Sequence, residues 1–396
     1  MSEMIRLKYV SSINEGVLAE DADPGFEFLY VDISAVGQGT LALPAEPTRF
    51  AVAPSRARRL AVAGDTVVST VRTYLRAVTE VPATEDPLVF STGFAVISPD
   101  RQRVYPRYLT WQLQADNFIS TVESISTGVS YPATSAAAIG DIGVRIPPLD
   151  VQRAVANFLD RETAKIDALI AKQERLLALL DEREDALRKA WTLGHTQGAA
   201  ATRIGRVLER LERPPAEPAP IVTAYRDGQV TSRGVRREDG YTISFTEHGY
   251  QGVEVGDLVF HGLDGFAGAV GVAEVSGKCS PVYHVCRARE GHDAEYLAQH
   301  IRALGVSGML EKFAWSVRQR SADYRNWALF AALPIAVPSL HEQREAADEI
   351  RRARERASRL RRSAKACIDL LRERRAALIT AAVTGRLDVT TYGKAG

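Results

Sequence analysis

The chain has 396 residues, of which 45% are apolar and 25% are charged, close to the averages of globular proteins. One hydrophobic core rarely extends over that length, so two or three domains are expected. Lys and Arg total 50 against 49 Asp and Glu, so net charge gives no support to nucleic-acid binding, and any basic surface must be local.

The first 145 residues or so contain short stretches in which apolar and polar side chains alternate. The clearest are FEFLYVDIS from Phe26, RLAVAGDTVVSTV from Arg59 and LVFSTGFAVIS from Leu88, and each predicts one or two strands. One helix is predicted among them, in YLTWQLQADNFI at Tyr108. This pattern indicates a small mixed α/β domain.

A long helix follows this domain. Pro147 and Pro148 predict its start and Gly194 its end, because proline restricts the preceding residue and glycine often ends a helix. From Gln152 to Trp191 it has about forty residues, or roughly 60 Å at 1.5 Å per residue, and such a helix needs a partner. Side chains at alternating steps of four and three form a heptad stripe. The stripe consists of Ile166, Ile170, Gln173, Leu177, Leu180, Glu184, Leu187 and Trp191.

A second unit of the same kind and a proline-rich loop or linker are predicted after this helix. Prolines in ERPPAEPAPIV, Glu212 to Val222, exclude regular structure there. From about 199 to 336, strands are predicted in GYTISF, VGDLVFHGL, GAVGVAEV and PVYHVCRA, and a helix in AEYLAQHIRAL. Pro338 and Gly385 bound a second long helix with a poorer stripe. Its stripe consists of Ala357, Arg361, Ala364, Ile368, Leu371, Arg375, Leu378 and Ala382.

The two units and their helices form an internal repeat. IPPLDVQR, Ile146 to Arg153, returns as VPSLHEQR 191 positions later, and the match continues for about fifty residues. AVAGDTVVSTVRTYLRAV, Ala61 to Val78, corresponds to VEVGDLVFHGLDGFAGAV with an offset of 192. Two equal units, each followed by a long striped helix, are most simply packed through an antiparallel helix pair.

The repeat therefore predicts an α+β fold class with two mixed α/β domains joined by two long antiparallel helices in a coiled coil, related by an internal pseudo-twofold axis. In that pairing we expect Glu184 near Arg351 and Arg375 near Asp160. The alternative is two unrelated amphipathic helices, each lying on its own domain.

Cysteine usage and the first residues indicate the compartment. The three cysteines form no CxxC pair, which fits a reduced cytoplasm. The start, MSEMIRLKYV, lacks a basic segment followed by an apolar core, and no apolar run reaches the roughly 18 residues of a membrane span. We expect a cytoplasmic protein without membrane contact.

The candidate motifs for catalysis or metal binding lack residues or spacings that their chemistry requires. GVAEVSGKC has five residues between its glycines where a P-loop has four, and Cys279 replaces its Ser or Thr. His284 between Cys279 and Cys286 fits no common zinc spacing. The Asn-Pro-Pro-aromatic loop of adenine methyltransferases is missing from the sequence. The repeated glycines could let the backbone approach a phosphate or could serve tight hairpin turns. They are Gly262, Gly265, Gly268 and Gly271.

Arginines cluster locally in both units. In the first unit a single acid, Asp65, accompanies Arg49, Arg56, Arg58, Arg59, Arg72 and Arg76. In the second unit the candidates are Arg226, Arg233, Arg236, Arg237, Arg318, Arg320 and Arg325, with Tyr324 beside the last. Arginine can bind a guanine edge or a phosphate. Solvated surface arginines are the alternative, but clusters in two copies of one unit favour DNA binding.

These segments together resemble the specificity subunits of type I restriction-modification systems, the HsdS family, over nearly the whole chain. IPPLDVQRAVANFLDRETAKIDALI, VPSLHEQREAADEI and ERRAALITAAVTGRLD are similar to the two conserved helical regions of that family. APSRARRL, GDTVVSTVRTYLRAV and STGVSYPATSAAAIGDI resemble its target-recognition domains, and they add Tyr74, Ser130 and Tyr131 to the candidate DNA-binding residues. The second helix lacks the FLD and KID elements of the first.

The resemblance implies a non-catalytic chain with two target-recognition domains, residues 1–146 and 197–336. Each would read half of a bipartite site in the major groove of double-stranded DNA, and the helices, 147–196 and 337–396, would fix the spacer. Two modification subunits and restriction subunits, the nuclease-translocases, are the implied partners. S-adenosylmethionine and ATP with magnesium belong on those partners, and no cofactor is expected on this chain.

Two other functions stay open at this stage. One is a specificity subunit for a standalone methyltransferase, or for a related phage-defence complex without restriction. The other is a coiled-coil scaffold without DNA contact, which would leave the arginine clusters unexplained.

Overall fold

The computed structural model describes residues 3–194, 199–216, 218–236, 249–313 and 323–389. The predicted GYTISF strand lies outside these ranges, as do Arg237, Arg318 and Arg320. The chain forms two compact units, one of Met1–Gln173 with Ala366–Gly396 and one of Glu174–Lys365. Each long helix contributes one half to each unit.

The first unit is a mixed α/β domain. Its strands are β1 (Glu3–Arg6), β2 (Ser11–Ile13), β3 (Glu27–Val31), β4 (Thr48–Arg49), β5 (Ala57–Ala61), β6 (Thr66–Ser69), β7 (Val78–Glu80), β8 (Leu88–Ser91), β9 (Phe94–Pro99) and β10 (Gly143–Ile146). Its helices are α1 (Pro106–Gln114), α2 (Asp116–Ser124), α3 (Ala136–Gly140) and the first half of α4 (Leu149–Thr192). The predicted helix at Tyr108 is thus two helices, because Ala115 between them is extended.

Two four-stranded sheets form this unit, in the orders β2-β9-β6-β7 and β4-β3-β8-β5, and β1 pairs with β10. All described pairings are antiparallel except β3 with β8. Side chains of the first sheet, such as Val68 and Ile97, pack against Leu109 of α1 and Phe118 of α2. The core therefore lies between this sheet and the helices that follow it.

The second unit repeats this plan. Its strands are β11 (Ala200–Arg203), β12 (Leu208–Arg210), β13 (Val222–Ala224), β14 (Val230–Ser232), β15 (Gln251–Val253), β16 (Leu258–His261), β17 (Val270–Val272), β18 (Gly277–Cys279), β19 (Tyr283–Ala288) and β20 (Pro334–Val337). Its helices are α5 (Ile204–Val207), α6 (Arg233–Arg236), α7 (Ala294–Val306), α8 (Met309–Phe313), α9 (Trp327–Ala331) and the first half of α10 (Leu340–Thr384). The sheet order β12-β19-β16-β17 reproduces β2-β9-β6-β7, and β11 pairs with β20 as β1 does with β10.

The repeated glutamine of the IPPLDVQR and VPSLHEQR motifs explains why the motif recurs. Gln152 Nε2 donates to the carbonyl of Pro147 at 2.7 Å, and its Oε1 accepts from the backbone N–H of Tyr105 at 2.8 Å. Gln343 Nε2 donates likewise to Pro338 at 2.8 Å, and its Oε1 accepts from the N–H of Asp293 at 3.0 Å. Each glutamine is buried and ties a helix start to the domain before it.

The long helices pair in opposite directions within each unit. In the first unit, Leu159 near the start of α4 shares a core cluster with Ile379 and Val383 near the end of α10. In the second unit, the end of α4 meets the first half of α10, where Arg361 donates to Asp181 and Glu184. The predicted antiparallel pairing is therefore confirmed, and the helices are 44 and 45 residues long.

One predicted ion pair in the first unit is wrong. Arg375 Nε donates to Asp167 at 2.9 Å rather than to Asp160. Asp160 is already held by α1, since its Oδ1 accepts from Arg107 Nε at 2.7 Å and from the indole Nε1 of Trp111 at 3.0 Å. The arginine therefore bonds Asp167, two turns further along the same helix.

The predicted ion pair in the second unit is also wrong. Glu184 accepts from Arg361 at 2.9 Å and from Arg188 at 3.3 Å, not from Arg351. Arg351 instead donates to Asp348 on its own helix. Both corrected pairs use the two arginines that interrupt the apolar stripe of α10, so these charges bond α4 instead of weakening the seam.

Within the ranges described, no helix has the length and apolar character needed to cross a membrane.

Candidate nucleic-acid interface

Two loops of the first unit lie together and carry five of the predicted residues. We call Thr70–Arg76 and Ile125–Thr134 the first loop face. Backbone hydrogen bonds join the loops: Arg72 N–H donates to Pro132 at 2.7 Å, and Thr134 N–H donates to Thr70 at 2.8 Å. Thr70 N–H in turn donates to Gly93, in the β8–β9 turn, at 2.8 Å. The face is thus anchored to the sheet through backbone groups.

Arg72 and Arg76 flank a 3-10 turn, Thr73–Leu75, and both have left-handed backbone, with φ of +50° and +53°. This conformation is uncommon for residues other than glycine and stores strain that the surroundings must hold. Strained non-glycine residues cluster at functional sites, so their presence on this face supports a binding role.

Arg72 is presented for contact. Its guanidinium lies 5.0 Å from the ring centroid of Tyr131, and it forms no ion pair with any residue described. Ser130, Tyr74 and Tyr131 are exposed beside it. Stacking on an aromatic ring restrains the arginine without neutralising it. The side chain is therefore preorganised and still charged.

Arg76 has a different role, although it stands only four residues from Arg72. Its Nη1 donates to Asp116 at 2.7 Å and its Nε to Glu123 at 3.3 Å, both on α2. These bonds attach the loop to the domain and occupy the guanidinium. Arg76 therefore positions the first loop face.

Exposed apolar residues complete this face. Val129 is fully exposed at the tip of its loop, and Leu75 and Ile125 are also solvent-accessible. Apolar side chains of this kind can contact the methyl group of thymine. These apolar residues were not predicted from the sequence. Their position inside segments rich in Gly, Ser and Thr, which are typical of loops, could have indicated that they are exposed.

The remaining candidates of the first unit lie on the second sheet. Arg56 is exposed and forms no ion pair among the residues described, and its carbonyl accepts from the N–H of Thr92 at 2.8 Å. Thr92 and Gly93 are neighbours in the β8–β9 turn, so Arg56 and Thr70 of the first loop face bond to adjacent residues of the same turn. The structure therefore brings Arg56 toward this face.

Arg49, Arg58 and Arg59 are more constrained. Arg49 pairs with Glu27 at 3.0 Å, and Arg58 stacks on Phe50 with 5.4 Å between guanidinium carbon and ring centroid. Arg59 is half-buried, and its Nε is buried without a hydrogen-bond partner among the described residues. Their position on the sheet is known, and DNA contact by them stays a prediction.

The second unit has an equivalent loop arrangement. Gly262 N–H donates to Val282 at 2.9 Å, and Tyr324 N–H donates to Gly262 at 2.8 Å, which reproduces the bonds made by Thr70. We call Gly262–Gly268 with Asp323–Arg325 the second loop face. The loop after β16 thus occupies the same place in its unit as the loop after β6.

Three candidate arginines of the second unit pair with aspartates. The pairs are Arg226 with Asp264 (3.0 Å), Arg236 with Asp227 (2.8 Å) and Arg325 with Asp323 (2.7 Å). Burial of Asp227 disfavours its ionised form, but the hydrogen bonds from Arg236 and from the backbone of Gln229, with the charges of Arg236 and Arg354, together outweigh that effect and lower the pKa of the carboxyl. Arg236 also stacks on Tyr225 at 4.3 Å. These arginines are held in fixed positions by neighbouring carboxylates.

Two further candidates of this unit are not exposed. Tyr324 is buried, and its hydroxyl donates to the carbonyl of Leu310 at 2.6 Å, so it packs the face rather than presenting a contact. Arg233 is half-buried at the start of α6, where its N–H donates to Ile221 at 2.8 Å.

Close packing accounts for the repeated glycines. A side chain at Gly265 would meet the ring of Phe260 at 2.2 Å, and one at Gly271 would meet the carbonyl oxygen of Gly228 at 2.1 Å. Gly268 has left-handed backbone, with φ of +92°. The hairpin interpretation is sufficient, and no phosphate cradle is required.

His284 takes part in packing as well. Its ring is hydrogen-bonded through Nε2 to the carbonyl of Tyr324 at 2.7 Å and stacks near Phe330. Burial lowers the pKa of the imidazole. Across the described ranges, no three His, Cys, Asp or Glu residues lie together as a metal-binding group would require.

Comparison with solved structures finds proteins with a similar fold. The HsdS subunit from Thermoanaerobacter tengcongensis is 19% identical, with a TM-score of 0.53, and the match covers 98% of this chain and 97% of that subunit. A chain from a study of complex assembly and conformational transition in the type I restriction-modification system is also 19% identical, with a TM-score of 0.69 and 98% of both chains covered. The chain has the HsdS fold.

The HsdS fold includes both units and both long helices, because each match runs over nearly the whole chain. Comparisons with protein-family models and with curated protein sequences find no match. The likeness is therefore one of architecture.

Proposed function

We propose that this chain is the DNA-specificity subunit of a type I restriction-modification complex. The observation that carries the proposal is the HsdS fold over 98% of the chain, together with an equivalent loop face in each of its two units. Each unit would read one half of a bipartite site, and the rigid helix pair would set the spacer between the halves.

The chemistry of the loop faces supports DNA as the ligand. An exposed, aromatic-stacked arginine such as Arg72 can bind the O6 and N7 acceptors of guanine in the major groove. Exposed arginines such as Arg56, which forms no ion pair among the residues described, can bind phosphates, which position a protein on the duplex. Exposed Val129 adds an apolar surface of the kind that contacts thymine.

The helix pair supports docking of partner subunits. Leu169 of α4 and Leu370 of α10 are exposed in the first unit, and Leu179 and Leu360 are exposed in the second. Exposed leucines on paired helices are typical of surfaces that other helices cover. We infer that two modification subunits bind there and supply S-adenosylmethionine and methyl transfer, while restriction subunits supply ATP, magnesium and cleavage. This chain itself would be non-catalytic.

Reconstitution with a cognate modification subunit tests this function. The complex should methylate adenine within one bipartite motif, read by sequencing of methylated genomic DNA, whereas the purified chain alone should transfer no methyl groups. Methyl transfer by the isolated chain, or methylation without a two-part motif, would overturn the proposal. Adding the restriction subunit distinguishes a complete restriction system from a methyltransferase or defence complex without restriction.

A further inference from the structure

The residue that precedes the 3-10 turn occupies an equivalent position in both loop faces. In the first unit the turn is Thr73–Leu75 and the preceding residue is Arg72. In the second unit the turn is Gly265–Ala267 and the preceding residue is Asp264. The offset of 192 aligns these turns, and the residues that follow them, Arg76 and Gly268, are both left-handed.

The two equivalent residues have opposite charge. Arg72 is exposed, stacked on Tyr131 and without an ion pair among the described residues. Asp264 is partly exposed, and Arg226 Nη2 donates to its Oδ1 at 3.0 Å. One position thus presents hydrogen-bond donors in the first unit and a carboxylate acceptor in the second.

The backbone at Asp264 is also held by hydrogen bonds, although its conformation, with φ of −110°, differs from the left-handed one at Arg72. The N–H groups of Leu263 and Asp264 donate to Nδ1 of His261 at 3.1 and 3.0 Å. Burial lowers the pKa of His261, which keeps Nδ1 free to accept these bonds at neutral pH. At Arg72 the backbone is held instead by the bond from its N–H to Pro132. The backbone that carries each side chain is therefore held in place, as is required of groups that read a base.

We propose that Arg72 and Asp264 are equivalent specificity-determining residues that read different bases in the two half-sites. Arginine donors match guanine O6 and N7, whereas a carboxylate accepts from the N4 amino group of cytosine. Arg226 holds the Asp264 carboxylate in place and offsets its repulsion from the DNA backbone. The inference rests on the proposed function, and it adds that the two half-sites differ at this position.

The experiment uses the full chain assembled with modification subunits and a random-sequence duplex library, from which bound DNA is sequenced. Arg72→Gly removes the side chain and suits the left-handed backbone, so the loop should keep its shape. It should reduce the preference for guanine at one position of one half-site by about 5- to 150-fold, because a base contact contributes roughly 1–3 kcal/mol. Asp264→Asn should reduce a cytosine preference by a similar factor in the other half-site only.

Matched controls remove the same charge elsewhere. Arg6→Ala, on β1, and Glu290→Gln, after β19, change exposed residues of the first and second units and should leave both base profiles unchanged. Thermal unfolding of each variant confirms that it is folded.

Three results would overturn the inference. If both variants select the wild-type motif with unchanged preferences, neither residue reads a base. If Arg72→Gly weakens binding to all sequences equally, it binds phosphate. If the wild-type complex selects no two-part motif at all, the proposed function fails, and this inference fails with it; the wild-type profile therefore separates the two failures.

Discussion

Arg375 of helix α10 donates from Nε to Oδ1 of Asp167 on helix α4 at 2.9 Å, and its guanidinium lies 5.8 Å from the ring centroid of Trp111. A charged residue in the apolar stripe is thereby bonded on one side and covered by an aromatic ring on the other. The Asp167 side chain is half-exposed, so solvent limits the energy of the pair.

We expect Arg375→Ala to lower the free energy of unfolding of the first unit by about 1 kcal/mol, since it loses one charge-assisted hydrogen bond and the ring contact. Urea denaturation measures the change, and a double-mutant cycle with Asp167→Asn isolates the pair. Arg374→Ala is the matched control, because Arg374 is exposed and forms no ion pair within the described ranges. An equal loss in both variants would contradict the assignment.

The repeated glutamine supplies a second prediction. Gln152→Ala leaves the N–H of Tyr105 and the carbonyls of Pro147 and Arg103 without their partner in a buried place. We expect it to lower the free energy of unfolding by about 2–3 kcal/mol. Gln102→Ala, an exposed neighbour, should change it by less than about 0.5 kcal/mol. A small effect at Gln152 would show that the motif recurs for another reason.

Features that depend on nearby residues in the sequence could be predicted, whereas contacts between distant segments could not. The helix starts and the two Gln motifs were predictable, because they depend on prolines and on a register that the chain repeats. The partners of Arg375 were not, since Asp160 and Asp167 lie two turns apart on one helix face. Which acid is available depends on Trp111, and that residue comes from a different helix.

The candidate interface shows the same limit. The sequence placed Arg72 and Arg76 in one arginine cluster, and both were predicted to bind DNA. The structure separates them, because Asp116 and Glu123 of α2 reach Arg76 and leave Arg72 free for stacking. Asp264 was missed altogether, since a search for basic residues does not consider that equivalent positions can carry opposite charge.

Hydrogen exchange should reveal the positioning role of Arg76. Arg76→Gly keeps a residue that accepts left-handed backbone but removes both bonds to α2. Amides of Thr70–Arg76 should exchange at least about tenfold faster, corresponding to a loss of roughly 1.4 kcal/mol of local stability. Arg72→Gly is the control and should leave their exchange nearly unchanged. The assignment would be wrong if Arg72→Gly accelerated exchange more than Arg76→Gly.

The two glycines predicted to end the long helices should respond differently to substitution. Gly385 has left-handed backbone, with φ of +76°, immediately after the last residue of α10. Gly194 has no positive φ, and among the residues described an added side chain would meet only the carbonyl oxygen of Lys189, at 3.8 Å. Gly385→Ala should cost about 1 kcal/mol, whereas Gly194→Ala should be neutral or stabilise by up to about 1 kcal/mol. Thermal unfolding compares the two, and equal destabilisation would refute the capping role of Gly385.

The stability of the second unit should depend on pH in a range where that of the first does not. All seven histidines of the chain lie between residues 174 and 365, and none lies in the first unit. Burial lowers the pKa of His300 from 6.5 to about 4, and its Nδ1 lies 3.3 Å from the hydroxyl of Tyr296, as a neutral acceptor can. Burial also lowers the pKa of His261 and His284.

The sign follows from proton binding. Between pH 6.5 and 4 the unfolded chain binds a proton at His300 and the folded chain does not, so acid favours unfolding. The stability that neutral His300 contributes is complete above about pH 6.5 and is lost as the pH falls toward 4. At pH 5 the second unit should be about 2 kcal/mol less stable than at pH 7 from this group alone. The first unit contains no histidine, so its stability should change little between pH 7 and pH 5.

Pulse proteolysis in urea, with peptides assigned to each unit by mass spectrometry, measures both stabilities in one sample. His300→Gln should remove about 2 kcal/mol of the difference between pH 7 and pH 5, whatever its effect on stability at pH 7. His341→Gln should leave the difference unchanged, because His341 is exposed. Since the readout is the change with pH rather than the absolute stability, a packing defect in the His300 variant does not obscure it. Equal losses of stability in both units between pH 7 and pH 5 would show that buried histidines are not the cause.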